Sequence, residues 1–356
     1  MDFTLGEELE AVRDLARQIF TDHATQDRVR AAERSEDGVD RVLWNELASA
    51  GLLGVALPED AGGAGLGIEA LCVLLEEQGR AVAPVPLWPS LTAALTLASH
   101  NTSGLLVSGV VDGTARLTLA LEEFAPADPA RPRCEAVRDG DGWRLTGTKA
   151  AVPFARGADF MLVAARTPAG PGLFLLGTGV DGTRWEDVDT TAHDGAATLV
   201  LDGAPAQQLP AGSLATALRL SRVALAAVQV GVAEGALRIA GGYLAGREQF
   251  GRPLATFQAV QHQLADCYIE IDALRVCLWH AVSLIAAGED AETAVLVAKW
   301  WSDEGGLNVV HRVQHLHGGI GVDVDYPVHR YFLWGKHISG MLGGASADLE
   351  TLGAAL

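Results

Sequence analysis

Few residues in this chain combine a reactive type with a spacing that chemistry could use. The four cysteines, Cys72, Cys134, Cys267 and Cys277, stand far apart. They form no CxxC or Cys/His ligand pattern, so neither a zinc site nor a disulfide framework is expected. Cys267 and Cys277 fall in an apolar helical stripe and read as core. Asp348 and Glu350 could serve as bases by type, but their helical positions differ, and they read as a solvated C-terminal face. The densest gathering is the stretch from Arg247 to Asp266, which holds Arg247, Gln249, Phe250, Phe257 and Gln258; His315 and the pair Gly318-Gly319 follow. Taken singly these have plain structural readings. Arg247 is a solvated helix residue, Phe250 and Phe257 are core rings, and Gly318-Gly319 is a helix C-cap.

The elements that must position these residues fall into three regions. Residues 1–113 read as an N-terminal helical domain. Thr4 and Glu7 form a capping box, and Leu5, Leu9, Val12, Leu15 and Ile19 recur at helical spacing. A second helix spans Val42 to Leu53. The glycine-dense Leu57–Gly67 loop suits tight turns, and a helix from Ile68 to Arg80 follows. Residues 114–205 are short apolar runs (160–165, 172–176, 197–201) broken by turn residues, with Asp139-Gly140-Asp141-Gly142 joining two strands. This predicts a small, mostly antiparallel, barrel-like β domain. Pro205 and Pro210 frame a linker. Residues 212–356 return to helical periodicity, with helices over about 214–249, 260–287 and 291–317 and a fourth after Tyr326, a four-helix bundle. On the second of these, Leu264, Cys267, Ile271, Leu274, Leu278 and Leu284 share one side. The fold class is thus α+β and multidomain.

The 356 residues carry 26 basic against 45 acidic side chains, a formal net charge of -19. That field repels polyphosphate and anionic lipid, which excludes nucleic acid as the main partner. No run of about 18 apolar residues offers a membrane span, no leader-like segment opens the chain, and a cytoplasmic location is expected.

The stretch Arg247-Glu248-Gln249-Phe250-Gly251-Arg252-Pro253-Leu254-Ala255-Thr256-Phe257-Gln258, continuing to Leu264-Ala265-Asp266, resembles the signature of acyl-CoA dehydrogenases, R-x-x-F-G-x-x-L-x-x-F-Q-x-x-x-x-x-L-A-D. The Leu57–Gly67 loop, Leu316-His317-Gly318-Gly319-Ile320-Gly321, Tyr326-Pro327 and the helical–β–helical order agree, so the resemblance covers essentially the whole chain. It implies FAD lying across a subunit boundary, with a carboxylate taking the α-proton of an acyl-CoA while the β-hydride passes to the flavin. By the same resemblance Arg247 contacts a neighbour's pyrophosphate, for which a planar, permanently charged fork is suited. Gln249, Phe250, Phe257 and Gln258 match contacting positions. Gly318 and Gly319 match glycines that let backbone approach the dinucleotide. His315 stands where the family places Gln, with Gln314 shifted by one.

The flavin-ring and catalytic positions depart from the pattern. Leu119 to Asp128 lacks the Gly-Ser-Asp of the family stretch. Ala151 replaces a tryptophan that packs on the flavin, and Pro153 replaces a hydroxyl residue and has no N–H to offer. Phe154 reads as core. The family base maps to Leu342 or Gly343, and the alternative base position to Ser221, too weak a base at neutral pH. No catalytic residue and no metal ligand is assigned.

An intact ADP clamp without ring cradle or base resembles the non-catalytic subunit of actinobacterial heterotetrameric acyl-CoA dehydrogenases of steroid side-chain catabolism. The segments 147–153, 314–319 and 329–334 carry that likeness. It implies FAD shared with a second acyl-CoA dehydrogenase subunit that holds the catalytic Glu, two copies of each chain, the acyl-CoA held mainly by the partner, and an acceptor such as an electron-transfer flavoprotein. Two other readings stay open: a self-sufficient enzyme with a displaced base, and a non-enzymatic acyl-thioester binding protein.

Overall fold

The recurrence of Leu9, Val12 and Ile19 forms helix α1 (Glu7–His23) in a computed structural model that describes residues 5–124 and 128–355. Thr4 of the expected capping box lies outside the described residues, as do residues 125–127 of the 119–128 stretch. Five helices follow: α2 (Gln26–Glu33), α3 (Arg41–Ser49), α4 (Gly67–Ala81), α5 (Leu87–Ser99) and α6 (Gly104–Val111). Seven strands come next: β1 (Leu117–Ala120), β2 (Glu135–Asp139), β3 (Gly142–Val152), β4 (Phe160–Thr167), β5 (Gly170–Gly177), β6 (Thr183–Asp187) and β7 (Ala197–Gln208). Helix α7 (Ser213–Gly246) leads to a short hairpin of β8 (Glu248–Gln249) and β9 (Arg252–Pro253). The remaining helices are α8 (Gln258–Ala286), α9 (Glu292–Trp301), α10 (Leu307–His317), α11 (Val328–Gly340) and α12 (Gly344–Ala355). Chain contacts divide these into two units, one of residues 14–71 and 84–221, the other of residues 1–13, 72–83 and 222–356.

In the first unit, β4, β2, β3, β7 and β5 pair in sequence, and β5 returns to β4, closing a small barrel; β1 adds in parallel to β4. Closure satisfies the strand edges that an open sheet would leave bare. Leu145, Met161, Val163, Phe174 and Leu199 fill its core. The Asp139–Gly142 hairpin forms as its glycines predict, with Gly140 at φ +59°. The linker expected at Pro205 is corrected: β7 runs through Pro205, paired with Arg144, to Gln208. The proline is tolerated close to a register shift at Leu145/Thr146, where the ladder is already irregular. Ser90 on α5 both donates to the Leu117 carbonyl (2.7 Å) and accepts from the Leu117 N–H (3.1 Å), pinning helix to strand. In the Leu57–Gly67 loop a Cβ on Gly63 would lie 2.2 Å from the Leu57 carbonyl, so the turn requires glycine there.

The second unit is the helical bundle. The 72–81 part of α4 and α7 touch backbone to backbone: a Cβ on Gly231 would sit 1.9 Å from the Glu76 carbonyl, and one on Gly79 2.0 Å from the Val228 carbonyl. The single helix expected over 291–317 is α9 and α10 joined by a π-helical turn, Ser302–Gly306. A fifth long segment, α12, follows a tight turn at Met341–Gly343. On α8, Cys267, Ile271, Leu274 and Leu278 are buried while Leu264 and Leu284 are half-buried, and Cys277 lies half-buried on the flank. Helix α7 is long and apolar enough to cross a membrane by length and composition, but 78% of its most apolar window is buried inside the protein, the position of a core helix.

Candidate functional site

The signature stretch folds at the end of α7. Helix hydrogen bonding continues to Arg247, whose N–H reaches the Tyr243 carbonyl at 2.8 Å, and the Arg247 carbonyl then accepts from Leu254 N–H (2.8 Å) across the hairpin. Gln249 pairs with Arg252 and Glu248 with Pro253. The tip is Phe250-Gly251, both at positive φ (+55° and +79°). Glycine takes this conformation freely; a phenylalanine is strained there. Phe250 is 89% exposed and meets the half-buried Phe257 edge-on at 6.0 Å, while the Arg252 guanidinium stacks 4.0 Å over the Phe257 ring. Arg247, Gln249 and Gln258 are exposed. The Arg247 guanidinium has no hydrogen bond or ion pair to the described residues.

The glycine pair ends α10. Gly318 adopts φ +62°, ψ −140°, a region open essentially to glycine alone, and space beyond both Gly318 and Gly319 is clear of protein atoms. His315 is exposed on the last turn. Gln314 is committed elsewhere: its amide donates to the Gly321 carbonyl at 2.6 Å and holds the corner shut. The His317 ring stacks on Tyr243 at 4.7 Å, with Tyr326 tilted against it at 5.5 Å. That stack joins the helix turn carrying Arg247 to the residue before the glycine pair. A free guanidinium, an exposed aromatic tip and a corner with room at its glycines fit the phosphate-bearing half of a dinucleotide.

The ring-cradle positions do not fit a flavin. Ala151 sits at φ +42° at the end of β3, and the Pro153 carbonyl accepts the Thr118 hydroxyl at 2.5 Å. Phe154 is buried core, as its sequence context implies. Two residues before Ala151, the fully buried Lys149 ammonium donates to Glu123 at 2.8 Å, and that carboxylate also accepts from the N–H groups of Cys134 and Arg133. Burial disfavours the Glu123 charge, but the Lys149 bond and these N–H groups outweigh it and hold the carboxyl below its usual range. Burial in turn lowers the Lys149 ammonium, with Glu123 opposing.

No base stands at either family position. Leu342 is 4% exposed at φ +59°, Gly343 lies beside it at φ +106°, and the Ser221 hydroxyl is buried without a hydrogen-bond partner among the described residues. The reading of Asp348 as solvated is corrected: it is 2% exposed and lies 3.9 Å from the buried Lys299 ammonium. Lys299 donates to both oxygens of Asp303 (2.7 and 2.5 Å) and to the Met341 carbonyl (2.9 Å). Asp303 stands four residues after Lys299, the spacing of neighbours on one helix face, and α12 turns Asp348 inward, a burial that local periodicity did not reveal. Burial raises both carboxyls, Asp303 to about 8, and Lys299 offsets part of that rise. This cluster anchors the Met341 turn. Glu350 is exposed, as expected.

Family models for the acyl-CoA dehydrogenase N-terminal and C-terminal domains match residues 6–103 and 212–353. Acyl-CoA dehydrogenase FadE27 of Mycobacterium tuberculosis is 35% identical over 372 aligned positions, covering 100% of this chain and 99% of that protein. The chain belongs to the acyl-CoA dehydrogenase family. FadE28 of the same organism is 34% identical over 88% of this chain and 92% of its own length. Among solved structures, a chain of the Tcur3481-Tcur3483 steroid ACAD superposes with TM-score 0.97 at 66% identity, covering 99% of this chain and 98% of that one. A chain of the ChsE4-ChsE5 complex from Mycobacterium tuberculosis does so with TM-score 0.93 at 35% identity over 99% and 98%. The cofactor of acyl-CoA dehydrogenases is FAD. Sequence reasoning missed Arg252, Tyr243 and Tyr326. Arg252 occupies a variable position of the signature. The two tyrosines could have been found only by asking which rings sit one turn before Arg247 and just beyond the glycine pair.

Proposed function

We propose that this chain is the non-catalytic subunit of a heteromeric acyl-CoA dehydrogenase, holding the ADP half of a FAD whose ring, base and acyl-CoA belong to a second, homologous subunit. Arg247, Gln249, Phe250, Phe257, Gln258, His315, Gly318 and Gly319 contribute the clamp; when bound, FAD supplies hydride-accepting chemistry on the partner's side. The observation that carries this reading is an exposed Arg247, joined through the Tyr243–His317 stack to an open glycine corner, in a chain with Leu342 or Gly343 at the position matched to the base. The likeness to a steroid ACAD and to a two-chain complex supports a heterotetramer with two copies of each chain and a CoA thioester of a steroid side chain as substrate. An acceptor such as an electron-transfer flavoprotein takes the electrons onward, in the cytoplasm. The functional division of the chain follows 1–113, 114–205 and 212–356.

Purification of the chain alone and of the complex with its catalytic partner tests this. The lone chain is expected to be colourless or unstable, and the complex to carry one FAD per pair of unlike chains by absorbance. A yellow homo-oligomer that dehydrogenates acyl-CoA without a partner overturns the proposal.

A further inference from the structure

The aromatic stack at the clamp contains a buried imidazole that neither the signature nor the family comparison explains. His317 is 4% exposed. Its Nδ1 lies 2.7 Å from the Val313 carbonyl, which can only accept, so the proton sits on Nδ1. Its Nε2 is buried with no partner among the described residues. The ring stacks nearly parallel (19°) on Tyr243, and Tyr326 meets Tyr243 edge-on at 6.1 Å. Tyr243 lies one helical turn before Arg247 and accepts its backbone N–H, while His317 directly precedes Gly318. One three-ring contact therefore sets the position of the guanidinium relative to the glycine corner.

We propose that His317 is the positioning residue of this clamp and makes its hold on the ADP half of FAD sensitive to protons. The inference rests on the clamp reading above. Protonating Nε2 would place a second N–H, and a charge, in a buried site that offers it no acceptor among the described residues. Among the described residues, the titratable groups whose rings meet it are the phenols of Tyr243 from α7 and Tyr326 from the segment before α11; on its own helix the ring meets the Val313 carbonyl. Burial holds the imidazole below its ordinary range, with only the Val313 carbonyl opposing, and no carboxylate contributes. Acidification drives the ring out of the stack and lets the glycine corner shift from Arg247.

The test measures FAD retained after gel filtration of the complex with the catalytic partner, by fluorescence, from pH 8 to pH 5.5, with complex formation checked by elution volume. Wild type is expected to hold FAD at pH 7–8 and to lose it several-fold by pH 5.5. His317→Phe, which keeps a flat ring without a titrating nitrogen, is expected to hold FAD evenly across the range. Tyr243→Leu, which leaves the imidazole but removes its stacking face, is expected to weaken retention at every pH. An acid-release curve for His317→Phe that matches wild type, or full retention by Tyr243→Leu, overturns the role of His317. Arg247→Ala is the control: retention of FAD by that variant refutes the clamp itself, whereas its loss of FAD together with an unchanged His317→Phe curve refutes only the positioning role.

Discussion

In the proposed clamp, Arg247 acts at contact distance. A guanidinium facing adjacent phosphates makes charge-assisted hydrogen bonds worth about 1.5–3 kcal/mol each. Arg247→Ala should therefore weaken FAD retention in the complex roughly 10- to 100-fold, measured by equilibrium dialysis, with the melting of the apo chain unchanged because the side chain is exposed and unpaired. Glu76 tests the bundle interior. Burial pushes its carboxyl up to about 7; Arg275, 3.5 Å away, opposes that and Glu234 adds to it. The folded chain then binds a proton more readily than the unfolded one between about pH 4.5 and 7, so this group's stabilisation is lost as pH rises through that window. Glu76→Gln should flatten the decline by up to about 1.4 kcal/mol per pH unit, read from denaturant melts at pH 5, 6 and 7; an unchanged slope would show that Glu76 is not the titrating group. These residue-level facts were unevenly legible. Arg247, Phe250 and the glycine pair stood out by spacing, whereas Asp348 looked solvated because nothing in its neighbourhood announces the lysine forty-nine positions earlier.

Among the elements, the crossing of α4 and α7 is decided by glycine. With backbone carbonyls 1.9 and 2.0 Å from would-be Cβ atoms, Gly231→Ala must separate the helices and loosen the packing around Glu76. A cost of about 1–3 kcal/mol, the scale of overpacking in a core, is expected in chemical denaturation, while Gly242→Ala, where no atom lies within 4 Å of a Cβ, should be neutral or slightly stabilising through helix propensity. Apolar periodicity marked α1, α3, α4, α7 and α8, and the Asp-Gly pairs marked the hairpin at Gly140, whereas α2, α5 and α6 were not read from either signal. Nor was the π turn of 302–306, since inserting one residue into a helix leaves its composition unchanged. At its start Asp303 accepts from Lys299, whose ammonium also donates to the Met341 carbonyl. Pro205 failed as a punctuation mark for a related reason, because a strand in a closed barrel can carry a proline beside an existing irregularity.

For the whole molecule, a net charge of -19 argues against this chain gathering a polyanionic ligand by its long-range field, yet beyond about 8 Å at physiological salt that field is screened, leaving a local clamp undisturbed. The bundle also leaves Tyr268, Ile269 and Val276 exposed along α8, together with Phe250 at the hairpin tip, apolar surface of the kind that a subunit covers. If the FAD belongs jointly to two unlike chains, native mass spectrometry of the complex should show two FADs per four chains; four would mean that this chain holds a complete site of its own. The sequence by itself determined the helical–β–helical order of the regions, the family, and the absence of a carboxylate at the positions matched to the family base, because each depends on residue type at a fixed spacing along the chain. Only the tertiary structure decided that Arg247 is free, that Asp303 and Asp348 close over Lys299, and that His317 is locked between two tyrosines. Pairing and burial arise where segments distant in sequence meet, and no local pattern encodes which of them will.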